Sequence, residues 1–327
     1  LRDNAAIDQL PGVIRRLIAL ALLSLLAACH KPDSALAPFV QTRLPPNVET
    51  RYWPPAGWAW GILEIAGQPG QRYGVSAAPA LASADVIILT GYGESAEMWL
   101  ETARDLNQQG YTVWVLEAAG QGGSGRYIRP RDLGYTPAFV GDVAAIDLFV
   151  QRIVRPLKDR PVTVIASGTA WLPALAAFEA RPLADHLILS NPVEPSTPTG
   201  SGRATQRATG QAAWQRPPPD ANLPHRQRAA LAWAVANPDL RMGGKAWGWF
   251  TARAKLREQA LGADRLVRVQ TPVLVLTRKA GTTPCLRMPH CVEQSIAASG
   301  AYQQAEDSDR GPWISAIETA LTADHAQ

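Results

Sequence analysis

The residues best placed to do chemistry lie between Pro161 and Leu175. Val162-Thr163-Val164-Ile165 is β-branched and bounded by a proline, so it reads as a short buried strand. Small residues follow, Ala166-Ser167-Gly168-Thr169-Ala170, and Trp171 to Phe178 then opens an apolar helix with Pro173 in its first turn. Strand, cramped turn and helix are the parts of a nucleophile elbow, whose pattern is G-x-S-x-G. The outer positions must be small because strand and helix nearly touch, and the central side chain stands exposed on a strained backbone. Here the pattern becomes Ala166-x-Gly168-x-Ala170, with glycine where the nucleophile would be. The same stretch also fits an ordinary strand–helix turn in which Gly168 only relieves crowding. Making Ser167 the nucleophile would put Ile165 where a small residue is needed.

The elements around this turn alternate. Tyr52 to Ile65 is rich in tryptophan and β-formers and reads as a first hairpin. Val86 to Leu89 is a buried strand followed by the glycine-rich turn Thr90 to Glu94, and Ala96 to Gln109 is an amphipathic helix closed by Gly110. Tyr111 to Leu116 is the next strand. Alternation of this kind calls for a mostly parallel sheet flanked by helices. At 46% hydrophobic and 18% charged, 327 residues can bury a large core. The net charge of +4 is spread without basic runs, which argues against a nucleic-acid partner.

The first residues read as a targeting segment. Arg15-Arg16 precede the apolar run Leu17 to Leu26, too short for a stable membrane span, and the run ends in Leu26-Ala27-Ala28-Cys29. That ending resembles the lipobox of bacterial lipoproteins, in which the cysteine is lipidated and becomes the first mature residue. The expectation is a membrane-tethered protein of the cell envelope. His30, where aspartate would favour inner-membrane retention, tilts the expectation to the outer membrane, facing the periplasm. Residues 30–50, proline-punctuated and polar, read as a tether.

Glu117-Ala118-Ala119-Gly120-Gln121-Gly122-Gly123-Ser124-Gly125-Arg126 resembles the D-x-R-G-x-G-x-S loop of the lysophospholipase, monoacylglycerol lipase and serine aminopeptidase branch of the α/β-hydrolases. Gly91-Tyr92-Gly93-Glu94 falls where that family has its H-G-x-x-E oxyanion loop. Arg241 to Trp249 resembles the lysophospholipase cap segment and leads, as there, into a strand beginning Thr271-Pro272-Val273. The resemblance implies an α/β-hydrolase fold, with residues 51–193 and 271–327 as the core and 194–270 as a cap insertion. Within that cap, Glu194 to Arg226 is polar, proline-rich and expected to be mobile. Gln227 to Leu261 carries apolar residues at helical spacing and three tryptophans, most of them expected to pack the cap onto the sheet.

The resemblance also implies positions for a Ser–His–acid triad. The nucleophile position is Gly168. The acid falls at Gly281, and no Asp or Glu occurs between Thr271 and Val292. The histidine, expected just before a C-terminal helix Pro312 to Leu321, falls at Gln303 or, under another gap placement, at Arg310. No histidine lies between Cys291 and Asp324, and His325 follows the final helix. Glu194, Ser167, Thr169 and His290 are the candidate substitutes, but they form no set in which each activates the next. The backbone N–H groups of Tyr92 and Thr169 would still form an oxyanion-type pair for a carbonyl or anion. Two functions therefore compete: a non-catalytic binder of a lipid, acyl compound or protein partner, and a lysophospholipase-like esterase with a rearranged catalytic set. No cofactor is called for. Cys285 and Cys291 suggest a disulfide in an oxidising compartment, in preference to a metal site with His290.

Overall fold

The computed structural model describes residues 33–78, 80–219, 221–278, 284–296 and 306–322. Continuous apolar runs become the central strands: β3 (Ala84–Leu89), β4 (Tyr111–Leu116), β5 (Val162–Ser167), β6 (His186–Ser190) and β7 (Val273–Thr277). With β1 (Ala59–Leu63), β2 (Gln71–Ser76) and β8 (Cys291–Ser295) they form one eight-stranded sheet in the order β1-β2-β4-β3-β5-β6-β7-β8. β2 is antiparallel to both β1 and β4, and every other neighbour pair is parallel.

The longer helices are α1 (Leu100–Gln108), α2 (Val140–Leu148), α3 (Trp171–Ala180), α4 (His225–Ala236), α5 (Trp247–Ala260) and α6 (Asp307–Thr322). Because strand side chains alternate in direction, each strand feeds two cores. Ile87, Leu89, Val162 and Val164 join α2, α3 and α5 on one face, and Val86, Ile88 and Ile165 join α1 and α6 on the other. The strand order reverses around β3, between β4 and β5. In open α/β sheets the crevice at such a switch point, beyond the carboxyl ends of the strands, is where ligands bind. The chain after β3 and the chain after β5 both enter that crevice.

Several expectations need correction. The hairpin is β1–β2 and reaches Ser76, because Gly61 and Gly74 leave room for the rings of Tyr73 and Trp58 to lie across the strands. The helix expected from Ala96 opens as a 3₁₀ turn, Ala96–Trp99, before α1. α6 begins at Asp307, with two aspartates in its first turn and Pro312 inside it. The stretch from Leu36 is not a free tether. Phe39 N–H donates to Gly123 O at 3.0 Å, Arg126 N–H donates to Leu36 O at 2.7 Å, and the Asn237 side chain holds both backbone groups of Arg43. The first part of the cap is likewise tied down. Ala208 N–H donates to Lys245 O, Trp247 N–H to Gln206 O and Gly248 N–H to Ala204 O, so its polar composition is spent on backbone pairing.

Candidate functional site

β5 ends at Ser167, and the chain turns sharply into α3 through Gly168, whose φ of +50° is the left-handed conformation that side chains resist. Ala166 and Ala170 are both buried where strand and helix backbones converge. A Cβ on Gly168 would meet only Glu94 Oε1 at 3.6 Å and Gly91 Cα at 3.9 Å, which is ordinary contact. The turn therefore has a nucleophile elbow's shape and its open space, without the nucleophile.

The loop after β3 faces this turn. A Cβ on Gly91 would lie 2.8 Å from Ser167 O, so the two loops touch through backbone. Gln121 anchors the loop, its amide donating to Gly91 O at 3.0 Å and to Thr90. Glu94 is buried beneath it and accepts from Ser167 Oγ at 2.8 Å, Gly91 N–H at 2.9 Å and Trp99 Nε1 at 3.2 Å. Burial pushes its carboxyl up from the ordinary range, and these three bonds act against that. The N–H of Tyr92, expected as an oxyanion donor, instead donates to Thr169 Oγ1 at 2.7 Å. The neighbouring hydroxyl thus satisfies that donor from within.

Of the positions implied for a triad, Gly281 and Gln303 lie outside the described residues, as do Cys29 and His325. Arg310 lies in the first turns of α6, where it binds Asp105 at 2.5 Å and stands 3.7 Å from Glu101. Three residues on, Trp313 reaches the crevice instead, its Nε1 donating to Ser190 Oγ at 2.9 Å. The substitute acid Glu194 is committed to Arg253, whose Nη2 is 3.1 Å away and whose Nη1 donates to Thr169 O at 2.6 Å. Ser167 is committed to Glu94. His290 is exposed beside the Cys285–Cys291 disulfide (S–S 2.05 Å). Among the described residues no histidine lines the cavities at the elbow, and no three His, Cys, Asp or Glu stand together as a metal site. Among them also, no helix is long and apolar enough to cross a membrane.

Two cavities meet at the Tyr92–Thr169 bond. One, of about 280 Å³, lies over Gly168 and is bounded by Glu94, Trp99, Val193, Lys245 and Trp313. The other, of about 50 Å³, runs under the cap between Leu89, Phe139, Ala170 and Trp249. Two residues in these walls escape sequence reasoning. Lys245 places its ammonium 3.9 Å from the ring centroid of Tyr92 and 5.1 Å from that of Trp249, and burial, aided by Arg253, lowers its pKa to about 8. The only signal for it is a lone cation among small and apolar neighbours, Gly243 to Trp247. Asp142, on α2, lines the smaller cavity with Oδ1 unbonded, and burial raises its pKa to about 7. As a whole the crevice can hold a carbonyl or an anion. Among the described residues it offers no relay to take a proton from a nucleophile and pass it to a leaving group.

Residues 81–280 match the family described as serine aminopeptidase, S33. Among solved structures, a lipase in its open form superposes with a TM-score of 0.60 at 16% identity, covering 80% of this chain and 97% of that one. The monoacylglycerol lipase of Paleococcus ferrophilus gives 0.56 at 15% identity over 77% and 98%. A probable hydrolytic enzyme of Pseudomonas aeruginosa PAO1 gives 0.54 at 16% identity over 84% and 96%. At these identities the likeness is one of fold. No curated protein matches the sequence.

Proposed function

Because this chain belongs to the serine aminopeptidase, S33, family of α/β-hydrolases, we propose that it has given up hydrolysis and uses the family's crevice to bind a lipid or acyl ligand, tethered to the outer membrane through Cys29. The observation that carries the reading is the elbow itself. Glycine sits at φ +50° where acyl transfer needs a hydroxyl, and the facing N–H of Tyr92 is already bonded to Thr169. Acyl transfer on this fold depends on nucleophile, base and acid acting as one unit. Losing such a unit costs several orders of magnitude in rate and leaves only oxyanion stabilisation and binding. Neither Ser167 nor Glu194 replaces it, since each is bonded to a neighbour that is not a histidine, Glu94 and Arg253 respectively. The apolar walls given by Trp99, Trp249, Phe139 and Val193 suit an acyl chain.

One experiment reads both halves of the proposal. Bacteria producing the full chain are fed an alkynyl fatty acid, and the purified protein is then exposed to a fluorophosphonate. The chain should carry the fatty-acid label, lose it on Cys29→Ala, and take no phosphonate. Stoichiometric phosphonate on any residue would show an active nucleophile and favour a rearranged catalytic set. A fatty-acid label that survives Cys29→Ala would remove the anchor.

A further inference from the structure

The acyl-binding reading leaves open what the polar end of the ligand is, and Lys245 bears on this. Its ammonium stands in the wall of the cavity over Gly168, stacked on Tyr92 and Trp249, and no carboxylate among the described residues pairs with it. The two other charged groups nearby are already engaged. Glu94 takes Ser167, Gly91 and Trp99 on its two oxygens, and Arg253 holds Glu194 and Thr169 O. A half-buried cation with no carboxylate beside it, facing a partly open cavity, is costly unless an anion joins it. Resting on the binding reading above, we propose that the cavity over Gly168 seats a medium-chain carboxylate, its head group paired with Lys245 and its chain laid against Trp99, Val193 and Trp313.

A carboxylate fits better than a phosphate ester. Among the described residues Lys245 is the one cation lining this cavity, which matches a single negative charge, whereas a phosphate carries about −1.5 to −2 near neutral pH. The volume of about 280 Å³ sits at the lower edge of the ~300–1,000 Å³ of small-molecule pockets, which favours a short chain. The proposal also gives the position a reason. A lysine whose own basicity is depressed by burial recovers it when an anion arrives, so ligand binding relieves a strain that the empty protein carries.

The test is isothermal titration of the full chain with octanoate, methyl octanoate and octyl phosphate, each below its micellar concentration. Octanoate should bind at least about tenfold more tightly than its methyl ester, in line with the worth of a charge-assisted bond. Lys245→Met should erase that preference while leaving the ester's affinity within about twofold, and should melt no lower than wild type. Equal affinity for acid and ester in wild type overturns the role of Lys245 but leaves acyl binding standing. Preference for octanoate that persists in Lys245→Met overturns it equally. Tighter binding of octyl phosphate rejects the carboxylate, and no binding of any of the three rejects both this inference and the reading beneath it.

Discussion

Two polar clusters lie on either side of the loop after β3, and the chain has treated them differently. Around Arg72 the buried charge is matched by two carboxylates, and of the guanidinium nitrogens Nη1 alone has no hydrogen bond among the described residues. Its guanidinium is fully buried, binds Glu117 at 2.7 and 2.8 Å and Glu97 at 2.9 Å, and is stacked by Trp60 and Phe39. The same Glu117 accepts the N–H groups of Ala96 and Gly123. Around Gly168, among the described residues, no histidine lines the cavity, and the polar groups there satisfy one another or, in Lys245, face open volume. The glycines make the same contrast. A Cβ on Gly123 would lie 2.2 Å from Arg72 and one on Gly122 2.6 Å from Glu117, whereas Gly168 has room to spare. The first cluster holds three loops in register and so bears on stability. The second borders an open cavity, where a Cβ on Gly168 would meet nothing closer than Glu94 Oε1 at 3.6 Å.

The largest effect is expected at Glu117. Glu117→Gln should cost about 3–5 kcal/mol, because it leaves Arg72 short of a charge and turns an amide N–H toward Ala96 or Gly123. Urea unfolding measures this directly, and a loss under 1 kcal/mol would mean the cluster does not support the fold.

Asp142, between the two regions in character, should show as a pH slope. Its folded pKa of about 7 lies above the unfolded 3.8, so the folded chain keeps a proton that the unfolded chain releases. Stability should therefore fall as pH rises from about 4 to about 7, by up to about 4 kcal/mol. Melting curves across that range should slope less in Asp142→Asn, and an unchanged slope would assign the titration elsewhere. The smallest effect is expected at the elbow. Gly168→Ser should lose about 1–2 kcal/mol for its left-handed φ, without a clash. It should gain no esterase activity, since no base stands beside it to take the proton. Turnover from that single change would place an unrecognised base in the crevice.

How much of this was legible depended on whether the signal was local. Tyr111 to Leu116 and the strand into Ser167 are continuous apolar runs, and such runs have few alternatives to a central strand. The edge hairpin was read short because Gly61 and Gly74 interrupt its pattern, and their purpose shows only once Tyr73 and Trp58 fold across them. The glycine at the elbow could be read from its five residues. The contacts around it could not. Glu194 and Arg253 are 59 positions apart, and Lys245 meets Tyr92 only because the cap strip is sewn to Gly134 and Ala208. Asp142 sits in an apolar helix with no partner in sequence to mark it.

The docked strip from Leu36 to Arg43 has a practical consequence for handling the molecule. Phe39 covers one face of Arg72, and Leu36 and Phe39 bond the backbone of the glycine-rich loop. Their prolines and polar residues invite an experimenter to trim them as leader sequence. Cutting near Pro45 would peel a lid from the most deeply buried cation and release Arg126 N–H and Gly123 O to water. A soluble version of this protein should begin no later than Leu36, and one begun after Pro46 should express poorly for reasons unrelated to its crevice.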